Sequence, residues 1–150
     1  MREGDVVGDF ALPDQGGVER TLSELVTGGP VVLFFYPAAM TTGCTAEACH
    51  FRDLGAEFAA VGAQPVGISA DQVGKQQAFA DAHGFGFPLL SDADGAVARQ
   101  FGVKRRCGPI PVKRHTFVID EQRRVLGVVR SEFRMGVHAD KALEVLKQRS

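Results

Sequence analysis

Two cysteines, Cys44 and Cys49, are the residues of this chain whose types and spacing most clearly suggest chemistry. Cys44 follows an apolar, strand-like run and begins a helix-like run. A thiol at a helix N-terminus readily becomes a thiolate, because the partial positive charge of the helix start and its unpaired backbone N–H groups favour the anion. A second thiol nearby can capture the oxidised product of the first. The pair therefore indicates a redox site.

The spacing of the two cysteines sets a condition on how they can react with each other. If Cys44 and Cys49 share one helix, their Cα atoms are about 8.6 Å apart. A disulfide needs a Cα separation of roughly 4.4–6.8 Å. The first turns of the helix must therefore unwind before the bond can form. The sequence predicts two states, a folded one with an exposed nucleophile and a partly unfolded one with a disulfide.

Other residues can assist the thiol at position 44. Arg114 stays charged at any working pH and can stabilise a thiolate. Thr41 can offer a hydroxyl to the thiolate or to a bound oxygen, and Pro37, with its fixed φ, would shape the loop wall. Glu47 is interpreted as a favourable charge in the first turn of the helix. On the residues alone, a solvated Arg114 and a structural cysteine at position 49 stay open as alternatives.

The elements that must position these residues alternate between strands and helices. Residues 31–36 form a continuous apolar run, which is typical of a central strand buried on both faces, and residues 44–61 carry helical spacing. The other predicted elements are strands at 9–12, 65–69, 87–90, 115–120 and 125–129, and helices at 21–25, 71–83, 92–101 and 139–147. This order predicts an α/β three-layer sandwich with a mostly parallel central sheet and an antiparallel edge hairpin. Sites in such sheets form where strands end and helices begin, and Cys44 lies there.

Composition and charge exclude several classes of function. The 17 Lys and Arg residues nearly balance the 18 Asp and Glu residues, which gives no support for a nucleic-acid or membrane partner. No secretory signal is visible, and the run 31–36 is too short to span a bilayer. Three cysteines do not suit a disulfide framework, so a reducing, cytoplasmic location is predicted. The length suits a single domain over residues 1–150.

Taken together, the motifs of the chain resemble those of a known family. Pro37, Thr41 and Cys44 have the spacing of the peroxiredoxin active-site pattern, Pro-x-x-x-Thr-x-x-Cys. The longer string Gly-Cys-Thr-x-Glu-Ala-Cys that ends at Cys49 resembles the bacterioferritin comigratory protein (PrxQ) branch, as does Arg-x-Thr-Phe-Val-Ile-Asp starting at Arg114. The resemblance covers nearly the whole chain.

The resemblance implies a thioredoxin-like fold and the reduction of hydroperoxides without a metal or flavin cofactor. By position, Cys44 resembles the peroxidatic cysteine and Cys49 the resolving cysteine, which would condense with a Cys44 sulfenic acid to give a disulfide. The residues that resemble the peroxide-binding pocket are Pro37, Thr41, Gly43 and Arg114. The family also implies a monomer that thioredoxin or a similar dithiol reduces.

The chain departs from the family pattern at two positions. Thr42 stands where the branch often has proline, which should loosen the loop slightly, and Cys107 is an additional thiol that leaves open which cysteine resolves Cys44. A non-enzymatic redox sensor or binding module that uses the same disulfide is the alternative function. A thioredoxin-like disulfide reductase is less favoured, because the sequence has no Cys-x-x-Cys.

Overall fold

The computed structural model describes residues 1–106, 108 and 110–149, and within them the chain forms a five-stranded sheet and a separate two-stranded sheet. The strands are β1 (Ala11–Pro13), β2 (Glu19–Thr21), β3 (Val31–Phe35), β4 (Gln64–Ser69), β5 (Leu89–Ser91), β6 (His115–Ile119) and β7 (Val125–Arg130). The helices are α1 (Leu22–Leu25), α2 (Thr42–Asp53), α3 (Gly55–Ala60), α4 (Val73–His83), α5 (Ala96–Gln100) and α6 (Met135–Arg149), and a 3-10 turn at Val26–Gly28 follows α1.

The large sheet has the strand order β5-β4-β3-β6-β7, with β3 at its centre. The β3–β4 and β4–β5 pairs are parallel, and the β3–β6 and β6–β7 pairs are antiparallel. Strand β6 is therefore antiparallel to the other four strands. The sheet is mixed, and four of its five strands run in the same direction. The α/β class and the antiparallel hairpin at the edge of the sheet are confirmed.

Two apolar clusters cover the two faces of this sheet. Every residue of β3 is buried, and successive side chains point to opposite faces. Phe34 belongs to the cluster that includes residues of α2, α4 and α6, whereas Leu33 and Phe35 belong to the cluster with residues of α1 and α5. The continuous apolar pattern of 31–36 thus correctly predicts a strand buried on both sides, and the three layers follow from it.

Some element boundaries differ from those predicted. The helical pattern at 44–61 forms two helices, because Leu54 adopts φ −95° and ψ 16° between α2 and α3, and glycine, the first residue of α3, is a poor helix former. Strand β2 was not predicted, since its residues Glu, Arg and Thr lack an apolar alternation. Gly84 ends α4 in the left-handed conformation, which glycine adopts without a steric penalty. Within the described residues, no helix has the length and apolar character needed to cross a membrane.

Candidate active site

A short loop carries the chain from the end of β3 to the start of α2 and so positions Cys44. Tyr36 N–H still donates to the Ile68 carbonyl, and Ala39 N–H donates to Asp71 Oδ2 at 2.6 Å. Met40 then takes a positive φ of 69°, and α2 begins at Thr42. Cys44 is the third residue of the helix, beside backbone N–H groups that have no partner inside it. The predicted placement at a strand-to-helix junction is confirmed.

Arg114 makes the polar contact to the Cys44 thiol. Its Nη2 donates to Sγ at 3.3 Å. The residue immediately precedes β6, which pairs with β3, and it is only 7% exposed, so its interpretation as a solvated surface arginine is wrong. Gly43 lies beside this contact, since a Cβ there would be in ordinary van der Waals contact with Nη2 at 3.4 Å and with Met135 Cε at 3.5 Å.

Glu47 is a member of the site that the sequence interpretation missed. It lies one turn after Cys44 and is fully buried, so its assignment to a favourable charge in the first helical turn is wrong. Its Oε1 accepts from Arg114 Nη1 at 2.9 Å. Burial raises the pKa of Glu47 to about 8, although the charge and hydrogen bond of Arg114 act in the opposite direction. Arg114 therefore lies between two acidic groups, a thiol and a carboxyl.

His138, on α6, is a further buried polar residue and lies beside Glu47. Its Nε2 lies 2.8 Å from the Ser131 carbonyl, which can only accept, so Nε2 carries a proton. Burial lowers the pKa of His138, although the hydrogen bond to Ser131 opposes this. In the neutral ring Nδ1 accepts from Thr116 Oγ1 at 2.8 Å. The other oxygen of Glu47, Oε2, has no hydrogen-bond partner among the described residues, and His138 Nε2 is 3.5 Å from it.

A second carboxylate, Glu132, holds the backbone of Arg114. Its Oε2 accepts from the Arg114 N–H at 2.7 Å, and its Oε1 pairs with Arg105 Nη2. Glu47 therefore orients the guanidinium of Arg114 while Glu132 fixes its main chain. The chain separation between these residues explains why no local sequence signal identified Glu132.

Thr41 and Pro37 line the loop in front of Cys44, but Thr41 does not use its hydroxyl as expected. Thr41 Oγ1 donates to the Ala38 carbonyl at 2.8 Å, and within the described part of the chain it makes no hydrogen bond to Cys44. As the N-cap of α2 it also makes no side-chain cap bond. Its proton is thus engaged, and because Thr41 is exposed its oxygen can still accept a hydrogen bond. Pro37 is partly buried.

The two cysteines of α2 differ in their surroundings. Cys44 is 1% exposed and packs in the apolar cluster with Ala39 and Ala48, so the expectation of an exposed nucleophile is wrong. Cys49 is partly exposed at the edge of the same cluster. Both are free thiols, and α2 is continuous between them, as the distance argument assumed. Cys107 lies outside the described residues.

The arrangement can hold a thiolate beside a fixed positive charge, and its other groups are hydrogen-bond donors and acceptors. No group of three or more His, Cys, Asp or Glu side chains that could hold a metal ion occurs within residues 1–106, 108 and 110–149.

Comparisons with known proteins match this chain to one protein family and to solved structures of high similarity. The model of the AhpC/TSA family matches residues 4–128. A Mycobacterium tuberculosis protein, provisionally named as a peroxiredoxin, is 64% identical over 149 residues, which cover 98% of this chain and 97% of that protein. The crystal structure of peroxidoxin BcpB from the same species has a TM-score of 0.96 at 62% identity, over 100% of this chain and 99% of that one.

A more distant structure has the same fold. Bacterioferritin comigratory protein from Xanthomonas campestris, whose structures are described as giving insight into alkyl peroxide reduction, has a TM-score of 0.86 at 33% identity. The match covers 93% of this chain and 91% of that one. The thioredoxin-like peroxiredoxin fold expected from the motifs is confirmed by these neighbours.

Proposed function

The chain belongs to the AhpC/TSA family and is a thiol-dependent peroxidase of its peroxiredoxin Q branch, and on that premise we propose that Cys44 is the thiol that attacks the peroxide. The observation that carries this assignment is the 3.3 Å contact from Arg114 Nη2 to Cys44 Sγ at the start of α2. A fixed guanidinium beside sulfur stabilises the thiolate, which is the nucleophilic form.

In the first step the Cys44 thiolate attacks one oxygen of the hydroperoxide. A sulfur–oxygen bond forms, the O–O bond breaks, and the leaving oxygen takes a proton to depart as water or alcohol. Sulfur is oxidised to a sulfenic acid while the peroxide is reduced. Arg114 stabilises the charge that moves to the leaving oxygen, since a preorganised donor is most effective where charge develops.

Three further residues would hold the peroxide against the sulfur. The Thr41 proton is engaged by Ala38, so its oxygen would accept a hydrogen bond from the peroxide O–H. Gly43 would line the approach beside Arg114, because a Cβ at this position would lie 3.4 Å from Nη2. Pro37 fixes the loop wall. Since Cys44 is almost fully buried, the loop 37–41 must move slightly to admit a peroxide.

The second step of the proposed cycle uses Cys49. Its thiol attacks the Cys44 sulfenic acid, a disulfide forms, and water leaves. Both residues lie in α2, so this step requires the helix to unwind locally. A dithiol, which we propose to be thioredoxin or a similar protein, then reduces the disulfide by exchange and is itself oxidised.

The family pattern also suggests the substrates, the oligomeric state and the location of this protein. Its substrates would include hydrogen peroxide and organic hydroperoxides, consistent with the alkyl peroxide activity named for the Xanthomonas campestris protein. We propose that residues 1–150 act as one peroxiredoxin domain, as a monomer in the cytoplasm, without a nucleic-acid or membrane partner.

The test is peroxide consumption with dithiothreitol or thioredoxin as the electron donor. Replacement Cys44→Ser should lower the rate by about 1,000-fold or more, to the uncatalysed level, because it removes the nucleophile. Far-ultraviolet circular dichroism should show that the variant is folded. Wild-type activity in Cys44→Ser would refute the assignment.

Disulfide mapping then separates the possible resolving cysteines. Trypsin leaves Cys44 and Cys49 on one peptide, residues 21–52, and Cys107 on another, residues 107–113. A Cys44–Cys49 disulfide therefore appears as the loss of two hydrogens within the first peptide. A cross-linked pair of the two peptides would instead assign the resolving role to Cys107.

A further inference from the structure

A cleft lined by cationic side chains lies outside the peroxidase site. It has a volume of about 540 Å³, within the range of small-molecule sites. Apart from Gly102, the described residues that line it are Arg99, Lys104, Arg105, Arg106 and Lys113. Five cations at one cleft are a marked concentration in a chain whose net charge is −1.

The backbone around the cleft holds these side chains together. Lys104 and Val112 form an antiparallel bridge, and Arg105 N–H donates to the Pro111 carbonyl at 2.9 Å. Lys113 N–H donates to the Val103 carbonyl at 2.8 Å. Two short segments are thereby paired side by side, and Arg99 approaches them from α5. The cations therefore project from paired backbone.

Most of this positive charge is not neutralised by carboxylates. Arg105 pairs with Glu132, but among the described residues the other four cations of the cleft form no ion pair. Among the described residues, Lys104 Nζ donates its hydrogen bond to a backbone carbonyl, that of Asp94, at 3.3 Å. The Nε of Arg105 is buried and has no hydrogen-bond partner in the described part of the chain. Like charges held this close repel one another, and a bound anion would relieve the repulsion.

We propose that this cleft binds the phosphate groups of a small oligophosphate. Arginine and lysine are the side chains that recognise phosphate, and the cleft is concave and sized for a small molecule. None of the described residues that line it is aromatic and able to stack on a base. Because the rest of the chain has a negative balance, an extended nucleic acid would be repelled beyond the cleft. The recognised chemistry is that of linked phosphates, either free or carried by a nucleotide.

The test is isothermal titration calorimetry of the full chain with sodium tripolyphosphate at physiological ionic strength, where weak surface attraction is screened. The double variant Lys104→Ala/Arg106→Ala should lower the affinity by about tenfold or more, because it removes two charged donors. The matched control Arg130→Ala/Lys141→Ala removes two cations from β7 and α6 and should change affinity by about twofold or less. Equal binding by wild type and cleft variant overturns the proposal.

Parallel titrations identify the source of the phosphates and separate this site from the peroxidase site. ATP that binds more tightly than tripolyphosphate assigns the cleft to a nucleotide, whereas equal affinities assign it to the oligophosphate alone. Tighter binding of a single-stranded oligonucleotide than of tripolyphosphate contradicts the proposal. Cys44→Ser should bind tripolyphosphate as wild type does, so the result is independent of the catalytic assignment.

Discussion

The two halves of α2 are held to the protein in different ways. In the first half, residues 42–47, the side-chain hydrogen bonds to the rest of the described protein come from Arg114, which donates to both Cys44 and Glu47. In the second half, residues 48–53, Phe51 stacks on Phe34 with ring centroids 4.3 Å apart. Two hydrogen bonds to other helices also hold this half in place. His50 Nε2 lies 2.8 Å from Asp140 Oδ1 on α6, and Arg52 donates to the His83 carbonyl at the end of α4 at 2.7 Å.

This difference indicates where the helix opens during the proposed cycle. Oxidation of Cys44 removes the thiolate that Arg114 holds, so the contact of the first half weakens when the sulfenic acid forms. The anchors of the second half do not involve the reacting sulfur. We therefore expect the first half to unwind and carry Cys44 toward Cys49, which stays with the second half. In the proposed cycle a single arginine would both activate the thiol and hold in place the segment that must move.

Within α2, the largest loss of peroxidase rate is expected when the contact of Arg114 with both Cys44 and Glu47 is removed. Arg114→Lys keeps a positive charge, but a single ammonium group cannot reach Cys44 and Glu47 in the fork geometry of guanidinium. The second-order rate with hydrogen peroxide should fall by about 100-fold, as for the loss of one preorganised donor. Because the chain has no tryptophan to report oxidation by fluorescence, a competition assay with a second peroxidase measures this rate.

The matched control for that variant is Lys113→Ala, which removes an exposed positive charge from the adjacent position. Its rate should stay within about twofold of wild type, because exposed charges are screened. A similar loss in both variants would show that disturbance of this segment, and not the contact to Cys44, lowers the rate.

Removal of the thiol in the second half should separate the two steps of the cycle. In Cys49→Ser the first oxidation of Cys44 should proceed at the wild-type rate, while turnover with thioredoxin falls about tenfold or more because no disulfide forms. Trapping with dimedone should detect a persistent sulfenic acid. Unchanged thioredoxin-dependent turnover would exclude Cys49 as the resolving residue.

Glu47 makes the stability of the first half depend on pH. Burial raises the pKa of Glu47 from 4.5 to about 8, so between these values the folded protein retains a proton that the unfolded chain has released. The free energy of unfolding should therefore fall as pH rises through this window, by up to about 1.4 kcal/mol per pH unit. Glu47→Gln cannot titrate and should lose this dependence in urea unfolding, whereas Glu144→Gln, at an exposed position of α6, should keep it. Parallel pH curves for wild type and Glu47→Gln would contradict the burial argument.

The smallest expected effect on the reaction rate comes from a substitution of Thr42, the first residue of α2. Thr41 has φ −79° and ψ 156°, the extended conformation that a residue before proline needs, and proline is well tolerated at the first helical position. Thr42→Pro should stabilise the fold by about 0.5–1 kcal/mol. Disulfide formation after peroxide treatment should slow by a few-fold, about what such an energy implies, because the first half opens less readily.

The control for this change is a proline at the equivalent position of α4. Gln72 has φ −70° and ψ 160°, so Val73→Pro is compatible there as well. It should stabilise the protein to a similar degree without changing the rate of disulfide formation. If both variants slow the reaction equally, global unfolding and not local opening limits the step.

The local parts of the site were predictable from sequence, and the long-range parts only in part. Cys44 at the start of α2 follows from a buried strand pattern next to a helical one. Arg114 was identified through the motif resemblance, since the pairing of β6 with β3 is what brings it to the thiol. Glu47 and His138 were not identified, because their burial depends on how α2, β6 and α6 pack together.

The same limit explains the errors in element boundaries. Helical periodicity continues through 44–61, but it does not reveal that the backbone turns at Leu54 between α2 and α3. The exposure of Cys44 was also misjudged, because the helix start lies beneath Arg114 and the loop 37–41. Such facts belong to tertiary packing, which a periodic pattern does not encode.

Hydrogen exchange with mass spectrometry, on reduced and peroxide-oxidised protein, tests the central claim most directly. Peptides from the first half of α2, residues 42–47, should lose protection on oxidation, because the disulfide cannot form while that segment is helical. Peptides covering residues 50–53 should keep theirs. Equal protection of the first half in both states, with a Cys44–Cys49 disulfide present, would contradict this account.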